Sequence, residues 1–453
     1  MMLRLRLLIA LVVVSAVVRA LQVRPTVWSV FGDIAAKTGA SNLGQGFPDW
    51  DPPEFVLDSL RRSVSHQYTR PAGHPQLVEL LAERYENHLD HEVHPMNNIA
   101  ITVGASQALF LTLTTLLERG DEIVMFDPFF ELYTKQIKLT GATPKFVPLG
   151  GAAATLDNPW ALNVDALRES ITSKTKVLLL NSPHNPTGKV FTLAELEAIA
   201  EIVREHPGLT VVSDEVYKFT VYDPREKGDL TSTGHYHFAR LPEMWDQTVT
   251  ISSAGKTFSV TGWQVGWMVG PERYIAPVHD LLPCVQFCAA TPVQEALCGA
   301  MVTAEQPYEG YSTYYEWLRS QFSSKRAILE EGLVAAGMQP ISSTGGFFLM
   351  AQLPEDQVLM RELQRELAQA GAGDFVEPYD WRYCRKLAAE HNVIAIPASP
   401  FFSRPDYSQH YSLPPLARFA FCKRDVTLDE AKRRLMLPPA SLSTLSPSQK
   451  VSA

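Results

Sequence analysis

Short apolar runs alternate with helical patterns between residues 99 and 270, and this alternation strongly limits the folds that the chain can adopt. The apolar runs that we interpret as strands are 98–103, 121–126, 176–180, 209–212 and 248–252. One intervening helix begins with a capping box, in which Thr192 and Glu195 precede an apolar helical repeat. Strands separated by helices predict a mostly parallel sheet covered by helices, so the expected fold class is α/β.

The chain beyond residue 310 shows a different pattern. A helix-rich stretch and a helix from about Trp381 accompany predicted strands at 345–349, 393–396 and 418–421. This mixture predicts a smaller α+β domain, whereas the tail is rich in Ser and Pro and lacks apolar periodicity. We therefore predict a targeting segment at 1–20, an N-terminal arm and part of the small domain at 21–53, a large domain at 54–315, a small C-terminal domain at 316–437 and a disordered tail at 438–453.

The composition is that of a globular protein, and its charge favours a small molecule as the ligand. The 453 residues are 46% hydrophobic and 20% charged, which is enough for a large core in two domains. The net charge is -9 and no sustained basic run is present, so nucleic acid is not expected as a partner. The five cysteines are odd in number, and Cys284 and Cys288 lack a second pair at zinc-site spacing. We therefore expect reduced, buried thiols and no metal site.

The first twenty residues are typical of a targeting segment. Two arginines precede an apolar run at 7–18 that is too short to span a bilayer, so no stable membrane insertion is expected. Val18 and Ala20 suit a signal-peptidase site, whereas the arginines and the lack of acidic residues before Asp33 suit an organellar transit peptide. We expect an organelle, either a mitochondrion or a plastid, with the secretory pathway and the cytoplasm as alternatives.

A lysine stands just after the last predicted strand, in the run Ile-Ser-Ser-Ala-Gly-Lys-Thr-Phe at 251–258. Lost hydration among small and apolar neighbours disfavours the ammonium form of Lys256, so its free amine can attack a carbonyl and form an imine. The alternative is a lysine with a buried stem and a solvated head, which is commoner for a lysine taken by itself. The residues that follow the other strands bear on this choice.

Those residues suit one ligand, because ligands bind beyond the carboxyl ends of parallel strands. The small residues 104–106 open a helix and suit a phosphate, or else tight packing. Asn185 offers an amide in a turn held by two prolines, unless it only caps that turn. Asp214 and Tyr217 offer a carboxylate and a phenol, unless Asp214 is a helix N-cap or part of an internal salt bridge. With the amine of Lys256, these groups match the aldehyde, ring nitrogen, ring oxygen and phosphate of pyridoxal 5'-phosphate.

Five ordered motifs extend this pattern over residues 26–435. They are Asn42-Leu-Gly-Gln-Gly-Phe-Pro-Asp49, Gln67-Tyr-Thr-Arg70, Asn185-Pro-Thr-Gly188, Ser213-Asp-Glu-Val-Tyr217 and Ser252-Ser-Ala-Gly-Lys-Thr257. With them the chain resembles the class I aminotransferases of fold type I, and within these the kynurenine, glutamine and methionine aminotransferase group. The resemblance implies a large domain with a mostly parallel seven-stranded sheet, a smaller α+β domain, pyridoxal 5'-phosphate as cofactor, and a homodimer.

The resemblance also implies a role for each residue near the cofactor. Lys256 would attach the cofactor and move the proton at the α carbon of the substrate, and Asp214 would hold the pyridine nitrogen. The other cofactor contacts would be Asn185 and Tyr217 at the ring oxygen, Phe130 on the ring face, and Ala105, Ser106 and Ser253 at the phosphate.

The substrate contacts are implied in the same way. Arg418 would fork onto the substrate carboxylate, a bidentate task that suits arginine better than lysine. Gly46 and Asn185 would assist it, and Trp28 would form an aromatic wall of the substrate pocket. Tyr68 would reach the cofactor phosphate of the partner subunit, which is the basis for expecting a dimer.

Two positions depart from the family pattern. Gln264, in Thr261-Gly-Trp-Gln-Val-Gly266, stands where relatives usually have a Lys or Arg that pairs with the cofactor phosphate. Loss of one charge-assisted hydrogen bond would weaken cofactor binding by about 1.5 to 3 kcal/mol. Ser106 stands where many relatives have an aromatic residue, so the pocket wall and the substrate choice are expected to differ there.

The implied reaction is amino-group transfer by a ping-pong route, from a long or aromatic amino acid to a 2-oxo acid. Trp28, Phe130 and Phe348 suggest kynurenine, glutamine, methionine or phenylalanine as the donor. An alternative within the same chemistry is β-elimination from cysteine S-conjugates, because the same carbanion can expel a leaving group. A non-catalytic module on the same fold is the alternative from another class, and Gln264 is the only feature in its favour.

Overall fold

The computed structural model describes residues 26–150, 158–222, 234–371, 376–411 and 413–438. The predicted targeting segment at 1–20 lies outside these ranges, as does all of the predicted tail except residue 438. Within the described ranges, no helix is both long enough and apolar enough to cross a bilayer.

The strands and helices follow one another as the sequence pattern suggests, with additions. The strands are β1 (Ser41–Asn42), β2 (Ile99–Val103), β3 (Glu122–Asp127), β4 (Thr143–Pro148), β5 (Thr175–Asn181), β6 (Thr210–Asp214), β7 (Thr248–Ser253), β8 (Val265–Val269), β9 (Gln339–Ile341), β10 (Phe348–Gln352), β11 (Val393–Ile394), β12 (Ile396–Pro397) and β13 (Leu416–Ala420). The helices are α1 (Val27–Thr38), α2 (Glu54–Arg61), α3 (Pro75–Leu89), α4 (Gly104–Leu116), α5 (Leu132–Thr140), α6 (Val164–Ser170), α7 (Leu193–Glu205), α8 (Glu272–Val285), α9 (Thr291–Thr303), α10 (Tyr314–Ala335), α11 (Gln357–Gln369), α12 (Tyr379–His391), α13 (Tyr407–His410) and α14 (Asp425–Met436).

Strands β2 to β8 form the central sheet, in the order β2-β8-β7-β6-β5-β3-β4. Every pairing in it is parallel except those that β8 makes with β2 and β7. Alternate residues of β5 belong to different apolar clusters: Val177 and Leu179 share one with residues of α4 and α5, whereas Leu178 shares another with residues of α7. Because helices cover both faces, residues 177–180 of the strand are all apolar. This is the mostly parallel seven-stranded α/β sheet that the resemblance implied.

The sequence pattern did not identify two strands of this sheet. Strand β4 carries prolines and a lysine, which only an edge position tolerates, so its composition does not read as a strand. Strand β8 is apolar, but the predicted series ended at residue 252. The capping box predicted at the start of α7 is confirmed, since the Thr192 and Glu195 side chains bond reciprocally to the backbone.

A second group of strands forms the smaller part of the molecule. Strands β12, β13, β10 and β9 make an antiparallel sheet, and β1 pairs in parallel with β11. The pairing of β1 with β11 joins the N-terminal arm to the C-terminal part of the chain. The strand predicted at 345–349 is observed three residues later, and the strand predicted at 393–396 is two short strands in different sheets, separated at Ala395. The domain boundaries themselves remain predictions.

All five cysteines are free, but the expectation that they are buried is wrong for three of them. Cys384 and Cys422 are buried, whereas Cys284 is exposed and Cys288 and Cys298 are partly exposed. The three less buried thiols lie on α8, on α9 and in the turn between these helices, and their exposure depends on which helix face meets the core.

Candidate active site

A pocket lies where the carboxyl ends of the parallel strands meet residues of the smaller part of the molecule. Strands β2, β5, β6 and β7 all end at this edge, so the short segments that follow them converge there. Tyr68 is the one predicted site residue that does not line the pocket. The others all do: Trp28, Gly46, Ala105, Ser106, Phe130, Asn185, Asp214, Tyr217, Ser253, Lys256, Gln264 and Arg418.

Lys256 lies in the pocket three residues after β7, and its Nζ donates to the carbonyl oxygen of Gly46 at 2.9 Å. Burial lowers the pKa of Lys256, and the neighbouring cation Arg418 acts in the same direction. A larger share of the side chain is therefore free amine at neutral pH, as imine formation requires. Gly46 has to be glycine, because a Cβ there would lie 2.3 Å from the ring of Phe348.

Asp214 ends β6 and is buried. Its Oδ2 accepts a hydrogen bond from the phenol of Tyr133 at 2.7 Å. Burial raises the pKa of Asp214 to about 6, although the bonds from Tyr133 and from the Val216 N–H oppose the rise. A buried carboxylate with a raised pKa is stabilised by a cation, so Asp214 suits a protonated ring nitrogen.

Asn181, at the end of β5, connects the neighbouring segments. Its amide nitrogen donates to the Asp214 carbonyl oxygen at 2.9 Å, and its amide oxygen accepts from the Asn185 N–H at 2.8 Å. Asn181 therefore holds Asn185 in register with Asp214. Tyr217 is also buried, and its ring packs edge-on against that of Phe347, with the centroids 5.0 Å apart.

The N-terminus of α4 forms one end of the pocket. Its first N–H groups have no partner within the helix, and with the helix dipole they favour an anion. Gly104 has φ +68°, and a Cβ there would come within 2.8 Å of the Gln264 Oε1. A Cβ at Gly266 would lie 2.4 Å from the Gly104 carbonyl carbon, so the close approach of these two backbones requires glycine at position 266. This small-residue cradle, with Ser253 beside it, fits a phosphate.

Gln264 is exposed, and its side-chain amide donates to the carbonyl oxygen of Thr261. Among the described residues that line the pocket, Lys256 and Arg418 are the only cations. If Lys256 acts on the cofactor aldehyde and Arg418 on the substrate carboxylate, only neutral hydrogen-bond donors remain for the phosphate. The structure thus places a neutral amide beside the helix N-terminus at Gly104.

Arg418, on β13, is buried at the other end of the pocket. Two of its nitrogens donate to the Asn185 Oδ1 at 3.0 Å and to the Gly44 carbonyl oxygen at 2.8 Å, while its Nε has no partner among the described residues. Burial lowers its pKa to about 9, so it remains a cation at neutral pH. No carboxylate of the described chain pairs with it, which leaves this buried charge suited to an anionic ligand. Its guanidinium is surrounded by the rings of Phe348, Phe401 and Trp28, at 4.0, 4.7 and 5.0 Å.

Trp28, on α1, forms part of the pocket wall and is held from behind. Its indole N–H donates to a carboxylate oxygen of Glu131 at 2.6 Å. Glu131 also pairs with Lys135 on α5, which fixes its carboxylate at the start of that helix. The bond from Trp28 to Glu131 therefore ties α1 to the start of α5 beside Arg418.

Tyr68 lies outside the pocket and is 83% exposed. Its ring packs edge-on against Phe287, with the centroids 4.9 Å apart. The contact of Tyr68 with a partner subunit stays a prediction.

Three residues that shape the site were missed at the level of the sequence. Asn181 follows a strand directly and belongs to the same turn as Asn185, so the strand-end rule could have found it. Tyr133 and Glu131 carried no such signal, because they lie at the start of a helix and meet their partners only through tertiary packing.

The family model for aminotransferase class I and II matches residues 39–435 of the chain. The chain belongs to the class I and II aminotransferases. Its similarity to curated members extends over most of its length: it is 38% identical to the kynurenine–oxoglutarate transaminase of Dictyostelium discoideum, over 91% of this chain and 94% of that protein. It is 34% identical to human kynurenine–oxoglutarate transaminase 3, over 90% of this chain and 86% of that protein.

Solved structures of this family have the same architecture. YbdL of Escherichia coli, for which a methionine aminotransferase function is described, superposes with a TM-score of 0.76 at 28% identity, over 92% of this chain and 97% of that one. N-Succinyldiaminopimelate aminotransferase of Mycobacterium tuberculosis superposes with a TM-score of 0.76 at 33% identity, over 91% of this chain and 97% of that one.

As a member of this family, the protein is a transaminase that uses pyridoxal 5'-phosphate. The site fits this cofactor in three respects: a lysine with a lowered pKa, a buried carboxylate that suits a cationic partner, and a glycine-shaped cradle at a helix N-terminus. The residue roles stated above rest on this fit and on the motifs.

Proposed function

We propose that this aminotransferase accepts long or aromatic amino acids of the kynurenine, glutamine, methionine and phenylalanine type and passes their amino group to a 2-oxo acid in a ping-pong sequence. The observation that carries the proposal is the surrounding of Arg418, a buried guanidinium with an unpaired N–H among aromatic rings. A donor held there by its carboxylate places its side chain against apolar walls rather than against a second cation. The names of the curated relatives support the same class of donor.

Each site residue has a task in this reaction. Arg418 binds and orients the substrate carboxylate, with Asn185 fixing the guanidinium. Lys256, as the free amine, would take the proton from the α carbon of the donor and pass it to the cofactor, and it would move a proton in the opposite direction when the oxo acid accepts the amino group. The bound cofactor supplies an electron-withdrawing ring that stabilises the charge developed when the α C–H bond breaks. Asp214 preserves that property by keeping the ring nitrogen protonated, and Tyr133 orients Asp214.

The test is the near-ultraviolet and visible absorbance of the cofactor-loaded protein on addition of one amino acid without an oxo acid. Kynurenine, glutamine, methionine and phenylalanine are expected to shift the cofactor band to that of the aminated cofactor, and aspartate serves as a short acidic comparison. A shift with aspartate alone would contradict the proposed donor class. A loaded protein that shifts with none of these amino acids would contradict it as well.

We also propose that the active form is a homodimer in which Tyr68 contacts the phosphate site of the partner subunit. Tyr68 and the neighbouring Val64, Val285 and Phe287 are exposed apolar side chains of one chain. Sedimentation of the purified protein tests the assembly, and cofactor affinity of Tyr68→Phe tests the contact. A monomer with full cofactor affinity would overturn this proposal and leave the donor class untouched.

Residues 1–20 are proposed to direct the protein to an organelle. The apolar run at 7–18 and the lack of acidic residues before Asp33 support this. Fusion of this segment to a fluorescent reporter tests the proposal, and a diffuse cytoplasmic signal would contradict it.

A further inference from the structure

A buried polar cluster lies directly behind the active site, and the reaction as described does not use it. We call Glu215, Lys218, His235, His237 and Tyr85 the anchor cluster. All five side chains are almost inaccessible to solvent, and Glu215 is 0% exposed. A carboxylate at such a position is costly unless it is fully hydrogen-bonded, so its partners indicate why it is tolerated.

The side chain of Glu215 is hydrogen-bonded through both oxygens. Its Oε1 accepts from the Ser213 hydroxyl at 2.9 Å, and its Oε2 lies 2.5 Å from the His237 Nδ1 and 3.4 Å from the His235 Nε2. The backbone of Glu215 is held as well. Its N–H donates to the Ile251 carbonyl oxygen at 2.8 Å, which extends the pairing of β6 with β7 past the end of β6.

Strand geometry connects these contacts to the pocket. Successive side chains of an extended chain point to opposite sides, so Asp214 faces the pocket while Glu215 faces the cluster. The same alternation occurs at the end of β7, where Ser253 lines the pocket and Ser252 donates to the Glu215 carbonyl oxygen at 3.3 Å. The backbone of Glu215 therefore bonds to the β7 segment, and its side chain bonds to Ser213 of β6 and to His237, which fixes the backbone between Asp214 and these contacts.

The electrostatics of the cluster are consistent with a permanently ionised Glu215. Burial opposes its ionisation, but the two histidines outweigh burial and hold the pKa of Glu215 well below its usual range. Burial lowers the pKa of His237 to about 4, although Glu215 acts in the opposite direction, and Nδ1 of His237 lies at hydrogen-bond distance from the carboxylate. Burial also lowers the pKa of Lys218 to about 7, and its Nζ donates to the Tyr85 hydroxyl at 2.8 Å.

A metal ion is a rival occupant, because Glu215, His235 and His237 offer ligand atoms within 4.8 Å of one another. The separation of 2.5 Å between Glu215 Oε2 and His237 Nδ1 is a hydrogen-bond distance. It is shorter than the spacing of about 3.4 Å between two ligands that each lie about 2.1 Å from one ion in tetrahedral geometry. A divalent ion would also stand close to the charges of Lys218 and Arg84, which both act on this cluster. The geometry thus favours a proton rather than a metal between these groups.

We propose that Glu215 is a positioning residue, which holds Asp214 and Ser253 in the orientation that binds the cofactor ring nitrogen and phosphate. This role depends on the roles proposed above for Asp214 and Ser253. Glu215, with His237 as its main hydrogen-bond donor, affects the reaction only through the positions of those two residues.

The test compares Glu215→Gln with Asp380→Asn. Both substitutions replace a buried carboxylate by its amide, but Asp380 lies on α12 and accepts from the Ser399 N–H, away from the pocket lining. Glu215→Gln is expected to weaken pyridoxal phosphate binding and to lower kcat about 10- to 100-fold, with little change in KM for the donor, since Arg418 is untouched. The visible circular dichroism signal per molecule of bound cofactor should also fall. Asp380→Asn is expected to lose stability without these changes.

Substitutions at His237 keep the inference testable if Glu215→Gln does not fold. His237→Asn retains a hydrogen-bond donor near the position of Nδ1, whereas His237→Ala removes it. The His237→Asn variant is therefore expected to bind the cofactor more tightly than the His237→Ala variant. Equal effects of Glu215→Gln and Asp380→Asn on cofactor binding would reduce Glu215 to a structural role. Stoichiometric zinc in the purified protein, whose removal by a chelator reproduces the loss, would replace the inference by a metal site. If the wild-type protein itself bound no cofactor, the aminotransferase assignment and not this inference would fail.

Discussion

The two ends of the pocket are suited to anions in different ways. At the carboxylate end, Arg418 is a buried cation whose orientation is set by two hydrogen bonds and by aromatic rings. At the phosphate end, the helix N-terminus at Gly104 and the exposed Gln264 offer only neutral donors among the described lining residues. The carboxylate end relies on a buried charge, whereas the phosphate end relies on the dipoles of neutral groups.

The difference follows from what each end has to hold. A substrate carboxylate arrives and leaves in every turnover and has to be oriented each time, which favours a rigid, bidentate cation. In the proposed arrangement Lys256 also attaches the cofactor that carries the phosphate, so weaker neutral contacts are sufficient while the covalent link exists. In the aminated cofactor that link is absent, and the neutral phosphate end is then the weaker point of the site.

The largest expected effect is at the carboxylate end. Arg418→Lys keeps the charge but loses the planar fork, and we expect kcat/KM for kynurenine to fall about 100-fold, since one or two charge-assisted bonds are lost. Cofactor affinity should remain unchanged, because Arg418 does not lie at the phosphate end. Steady-state kinetics and a cofactor titration measure the two quantities, and an equal loss in both would remove the distinction between the ends.

A cation introduced at the phosphate end should have the opposite effect. Gln264→Lys is expected to tighten pyridoxal phosphate binding about tenfold, at the lower limit for a charge-assisted bond because the position is exposed. The gain should shrink at high salt concentration, while KM for the donor stays constant. Gln264→Met, a neutral side chain of similar length, is the control, and tighter binding by this variant would show that charge is not the cause.

The carboxylate at the ring nitrogen gives a prediction about pH. Because burial raises the pKa of Asp214 to about 6, protonation as the pH falls through this value removes its charge and weakens cofactor binding. Tyr133→Phe deletes a hydrogen bond that lowers this pKa, so the loss of affinity should begin at a higher pH and reach about fivefold near neutrality. Cofactor titrations over a pH series measure the shift.

Tyr411→Phe is the matched control for that series, since its hydroxyl also donates to a buried carboxylate, Asp127, at 2.6 Å. Tyr411 does not line the pocket, so the pH profile should remain that of the wild type. Identical profiles for Tyr133→Phe and the wild type would mean that Asp214 does not govern the acid limb.

The smallest expected effect concerns the pocket wall. Glu131→Gln replaces the charged acceptor of the Trp28 indole by a neutral one, and KM for kynurenine should rise about twofold with little change for glutamine. Lys135→Met, which removes the other partner of Glu131, is the control. A larger change for Lys135→Met than for Glu131→Gln would show that the wall is not held through the indole bond.

Much of the fold and of the candidate site was predictable because the information is local. Strands β5 and β6 each contain a short apolar run, at 177–180 and 211–212, and the residues that follow, including Asn185 and Tyr217, line the pocket as the strand-end rule predicts. Strand β4 escaped prediction because its prolines and lysine are permitted by its place at the sheet edge, which the sequence does not state.

The sequence by itself determined the family and the cofactor, and it predicted Lys256 as the attaching lysine, since each of these depends on motifs of a few neighbouring residues. Only the tertiary structure decided which distant groups support them. Tyr133 meets Asp214 across 81 positions of the chain, and Trp28 meets Glu131 across 103. Such contacts depend on how the layers pack, and so does the burial that sets the pKa of Asp214 and leaves one N–H of Arg418 without a partner in the described chain.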